Sequence, residues 1–156
     1  MLTSETVIDW VKSQQYTSWR RNRHPFFFLQ GNVPNHIRTR FYNIDSKKQI
    51  VLSPINYLVK SVDPPKDFDM LIDEAKAEID IVDPERTITV EIDGAPCNGW
   101  IRQTSGRFFD HLGEKVFIDG YWLVLMLSEG THYIKSLGTC RAGTIRIEGE
   151  YQIVSK

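Results

Sequence analysis

The sequence predicts a mainly β domain, a β-sandwich or partly closed barrel, with two helices, one N-terminal and one at about residues 67–80. Three observations lead there. Apolar and polar residues alternate over residues 36–44, 87–92 and 145–153, with turn signals between them. Residues 121–127 are apolar on both faces, as in a central, covered strand. Helical apolar stripes occur in two places, Val7-Trp10-Val11 and Phe68-Leu71-Ile72-Ala75-Ile79.

The elements follow in order. Thr3 or Ser4 caps the first helix, and Glu5 and Asp9 suit its dipole. Residues 26–29 form a short buried strand. In residues 36–44, Ile37, Thr39 and Phe41 take one side, here assigned to the core, and His36, Arg38, Arg40 and Tyr42 the other. Residues 45–48 make a hairpin loop, and Pro54 ends or bends the following strand. Asp67 caps the second helix, whose outer face carries Asp69, Asp73, Glu74 and Glu78. Asp93-Gly94 is a turn, residues 100–109 form a strand pair around Gly106, and Gly149 marks a bulge in the last strand.

All 156 residues fit one domain that folds without a disulfide or metal staple. Hydrophobic residues are 41% and charged residues 25%, an ordinary globular balance. Cys97 and Cys140 are too few for a disulfide framework, and the N-terminus lacks a signal-peptide pattern. The chain therefore reads as cytoplasmic, and as secreted only if a leader has been removed. No apolar run approaches membrane-spanning length.

Several segments resemble a group of uncharacterised bacterial β-rich proteins. They are His24-Pro25-Phe26-Phe27-Phe28-Leu29-Gln30-Gly31, Ile50-Val51-Leu52-Ser53-Pro54, Asp119-Gly120-Tyr121-Trp122-Leu123 and Leu127-Ser128-Glu129-Gly130-Thr131-His132. The resemblance spans residues 24–154 and implies a compact β-sandwich-like domain. Members of the group are mostly secreted and richer in cysteine, and they bring no established activity.

Charge is unevenly spread. Residues 12–48 hold eight basic residues against Asp45 alone, while the remainder holds 11 basic and 19 acidic residues. Such a basic segment suits an acidic small molecule or an acidic protein surface, or else docks on the chain's own acidic helix. No nucleic-acid, nucleotide, metal or nucleophile-elbow motif is present, so no cofactor is expected. His36, Arg38, Arg40 and Tyr42 are the candidate ligand-binding set: arginine suits bidentate contact with carboxylate or phosphate. The competing reading pairs that face with neighbouring carboxylates. His132 and Asp119 are the candidate catalytic pair. His132 is a general base oriented by Asp119 or Glu129, or a residue that closes a turn on a backbone carbonyl. Asp119 is a carboxylate at a pocket rim, or a turn residue.

The expectation is a non-catalytic binding or interaction domain for an acidic ligand or partner. The alternative is a small cofactor-independent isomerase, cyclase or lyase using His/Asp acid–base chemistry. Self-association as a homo-oligomer is a third reading.

Overall fold

The computed structural model describes residues 2–14, 26–29, 31, 37–61, 67–140 and 145–156, with the side chain of Arg38 excepted. In chain order the elements are α1 (Ser4–Ser13), β1 (Phe26–Phe28), β2 (Ile37–Ile44), β3 (Gln49–Ser61), α2 (Phe68–Asp80), α3 (Pro84–Thr87), β4 (Ile88–Ile92), β5 (Ala95–Pro96), β6 (Ile101–Thr104), β7 (Phe109–His111), β8 (Glu114–Leu125), β9 (Gly130–Cys140) and β10 (Ile145–Ser155). Two five-stranded sheets result. One runs β1-β3-β8-β6 with β7 also on β8; the other runs β2-β10-β9-β4-β5. Neither closes on itself, so the sandwich expectation holds and the barrel does not.

The sheets pack face to face through Ile50, Leu52, Leu123 and Leu125 on one side and Val90, Ile134, Tyr151 and Ile153 on the other. Period two puts Phe117, Asp119 and Tyr121 on the same face of β8 as Leu123. Beyond the second sheet that face is covered by α2, where Leu71 and Ala75 meet Val59 and Phe117. The opposite face of the first sheet is covered by α1, which begins in a Thr3–Thr6 capping box. Trp10 packs edge-on against Trp122 at 5.1 Å, and its indole N–H donates to the Leu29 carbonyl at 3.1 Å.

Pro54 bends β3 without ending it. The β3–β8 register shifts between Leu52 and Ile55. Ser53 Oγ reaches the Tyr121 carbonyl (3.1 Å) and accepts from Asn56 Nδ2 (3.0 Å), so the displaced backbone keeps partners. The bend presses Pro54 onto β9 at Gly138, where a Cβ would lie 2.2 Å from the Pro54 carbonyl oxygen.

Three local expectations are corrected. The faces of β2 are the reverse of those assigned: Ile37 and Phe41 are 62% and 71% exposed, whereas Ile44 is buried and Tyr42 packs on the core. β6 and β7 both pair with β8 rather than with each other. The pairing of β10 runs unbroken through Gly149 on both sides, so the bulge lies in β3 instead. After α2, Pro84 opens the single-turn α3, capped by Asp83. Cys97 and Cys140 are not joined to each other by a disulfide. Among the described residues no helix is long and apolar enough to cross a membrane.

Gly138→Ala is expected to lower stability by about 1–3 kcal/mol, because a methyl group there forces the two sheets apart. Urea unfolding measures this; an unchanged midpoint would show that the sheets do not pinch at Pro54.

Candidate functional site

The candidate residues fall into three separate places. Asp119 lies mid-strand in β8 and is 0% exposed, so it is neither a turn residue nor a pocket-rim carboxylate. Arg102, across from Tyr121 on β6, holds it with two bonds, Nη2 to Oδ2 at 2.8 Å and Nε to Oδ1 at 3.4 Å. The same guanidinium reaches the Lys76 carbonyl (3.2 Å) and the Asp80 carboxylate on α2. Hydrogen bonding by Asp119, followed by Asp80, raises the Arg102 pKa further. A bidentate pair of this kind satisfies a buried carboxylate and anchors the end of α2 to the sheet. Its function is therefore read as structural attachment.

His132, on β9, faces inward as expected, but its partner carboxylate is Asp93. Nδ1 lies 2.7 Å from Asp93 Oδ2 and Nε2 lies 2.8 Å from the Ser128 carbonyl. A carbonyl oxygen can only accept, so Nε2 is the donor in its contact with Ser128, and a proton on Nδ1 as well makes the ring a cation facing the Asp93 carboxylate. In its protonated form the ring donates from both nitrogens and clasps the β4–β5 turn to the β8–β9 turn. Hydrogen bonding to Asp93 raises the His132 pKa, with burial opposing it. Asp93 is lowered, first by the Tyr133 backbone N–H (2.8 Å to Oδ1) and then by His132. Asp93 holds φ +53°, a left-handed value that aspartate tolerates in a turn. The structure does not bring His132 and Asp119 into one hydrogen-bonded group, and neither of its expected orienting carboxylates, Asp119 or Glu129, is the one found.

The binding set centres on β2. His36 lies outside the described residues. Arg38 is placed by its backbone opposite Gly149, Arg40 opposite Tyr151 and Tyr42 opposite Ile153. Arg40 is half-buried and donates from Nη1 to the Gly31 carbonyl at 3.0 Å. Gly31 in turn donates its N–H to the Gln14 side chain at the end of α1. The guanidinium is therefore steered by a backbone acceptor that the first helix holds in place. Tyr42 stacks on Tyr151 at 6.3 Å and meets Phe27 edge-on at 5.4 Å. Where the two sheets part beside this ring pair, a cleft of about 370 Å³ opens, lined by Phe27, Phe41, Tyr42, Asn43, Ile44, Asp45 and Lys48. Asp45 Oδ1 accepts the Lys47 N–H (2.9 Å), which turns that carboxylate to its own loop.

Sequence reasoning missed Arg102, Asp80 and Asp93 as partners. Asp93-Gly94 was visible as a turn, but nothing local in the chain connects it to His132. Asp110 pairs with Lys115 across the β7–β8 hairpin at 2.8 Å, and Glu114 on β8 pairs with Lys60 on β3 at 3.1 Å. Compared with protein-family models, curated proteins and solved structures, the chain finds no match.

The clasp implies a pH dependence. A raised histidine pKa contributes stability that is complete below the unfolded value of about 6.5 and is lost as pH rises through the folded value above it. The lowered Asp93 contributes above its unfolded value and is lost as pH falls through its folded one. Hence the stability gap between wild type and His132→Gln is expected to be wider at about pH 6 than at about pH 9. Denaturant melts at the two pH values check it; a gap that does not change would show that His132 is not held as the cation.

Proposed function

We propose that this chain is a non-catalytic binding domain for an acidic ligand or partner, taken at the rim around β2. The observation that carries the reading is the cleft beside Tyr42. It opens in the most basic part of the chain, with Lys48 in its wall and Arg40 on the same strand as Tyr42. Phe27 and Tyr42 supply two aromatic rings set edge to face, and a cation beside such rings is a common arrangement for orienting a carboxylate. The fixing of Arg40 through Gly31 and Gln14 supports it too, because a guanidinium already ordered by the protein loses less freedom on binding.

The test uses citrate and hexaglutamate as acidic probes. Either is expected to raise the wild-type Tm by about 3 °C at concentrations well above its Kd, with the shift shrinking as salt rises. Lys48→Glu should abolish most of the shift, each shift being read against that protein's own unliganded Tm. No shift with either probe, or an equal shift in Lys48→Glu, would overturn the reading.

A further inference from the structure

We infer that the acidic partner is an extended peptide that adds as a strand to the outer edge of β2, with acidic and apolar residues alternating along it. The inference rests on the reading of the β2 rim as an acidic-ligand site and specifies what occupies it.

The argument begins with the backbone. The Ile44 carbonyl accepts from the Lys156 N–H at 2.9 Å on the β10 side. In a parallel pair the N–H and C=O of one residue point the same way and successive residues point opposite ways. Arg38, Arg40, Tyr42 and Ile44 thus bond to β10, and the peptide groups of Ile37, Thr39, Phe41 and Asn43 face the other edge. Among the described residues no strand pairs with that edge.

Edge strands are normally kept short, charged, bulged or interrupted by proline so that they do not recruit another chain. The other edge segments here obey this: β1 has three residues, β5 two including Pro96, β6 four and β7 three. β2 does not. It is the longest of them, eight residues in unbroken register without a proline or bulge, and its charged residues, Arg38 and Arg40, alternate with an uncharged row, Ile37, Thr39, Phe41 and Asn43. The cleft lies at the C-terminal half of this strand, with Phe41 and Asn43 in its wall.

The two faces of β2 then specify the guest. A strand paired with the edge sets alternate side chains beside Phe41 and Ile37, which are exposed and apolar, and the others on the side of Arg40 and Tyr42. Apolar residues suit the first row and carboxylates the second. Main-chain bonds supply affinity and the alternation supplies selectivity.

A fluorescent synthetic peptide alternating glutamate and valine is titrated into the full chain and followed by polarisation. Three comparisons accompany it: the same peptide N-methylated at every second amide, in both phases; a lysine-for-glutamate peptide; and the Asn43→Pro protein. Proline on an edge strand with its nitrogen outward is compatible with the sheet, and thermal melting verifies folding. Saturable binding is expected, weakened about tenfold or more by Asn43→Pro and by N-methylation in one phase only. If Asn43→Pro fails to fold, the N-methylated peptides decide alone on the wild-type protein. Binding indifferent to N-methylation, with the hexaglutamate shift intact, overturns strand addition and leaves the acidic-site reading standing. Equal binding of the lysine peptide overturns the acidic reading and leaves the edge. A wild-type dimer that Asn43→Pro dissociates overturns the inference by assigning the edge to a second copy.

Discussion

The register of β2 against β10 is the constraint on which the binding account depends. It is fixed at the strand's end, where the Lys156 N–H bonds the Ile44 carbonyl and the Ser46 N–H bonds the Lys156 carbonyl at 2.8 Å. The pairing then runs without a break from Ile44 back to Ile37. Moving it by one residue would turn Tyr42 and Ile44 out and Phe41 in, and would send the peptide groups of Phe41 and Asn43 toward β10. The stack of Tyr42 on Tyr151, its contact with Phe27 and the placing of Arg40 near Gly31 all follow from this one alignment.

The rest of the molecule holds that edge in place. Two helices cover the first sheet, α1 on its outer face and α2 on the part of its inner face that the second sheet leaves open. The bend at Ser53-Pro54 brings β3 against Gly138, which sets the spacing of the sheets where no side chain fits between them. Arg102 ties β6, β8 and α2 together around the buried Asp119 carboxylate. Removing one member of such a group leaves the other charge buried without its partner, which makes it a strong attachment although a weak net source of stability. The chemistry-bearing residues His132 and Asp119 are thus engaged in holding turns and layers together.

Much of the fold was legible because its signals are local. Both main helices have side-chain caps at Thr3 and Asp67 and apolar residues at helical spacing, and they begin where the sequence places them. The run through Trp122 and Leu123 is a central strand because it is covered on both faces. β2 was misread for a physical reason: Ile37 and Phe41 on one face and Tyr42 and Ile44 on the other are equally apolar, so period two alone cannot say which row faces inward. Its edge position, which lets Phe41 remain exposed, is a property of strand order. The partners of His132 and Asp119 were hidden for a related reason. Asp93 is 39 residues from His132 and Arg102 is 17 from Asp119, and only sheet pairing brings them close.

We propose that the outer edge of β2, with which no strand pairs among the described residues, stands open, and amide hydrogen exchange measured residue by residue along this strand tests it most directly. The account predicts alternation: slow exchange at Arg40, Tyr42 and Ile44, whose N–H groups bond to β10, and fast exchange at Thr39, Phe41 and Asn43. Uniform protection through the strand would contradict it, because another part of the chain or a second copy would then already occupy that edge.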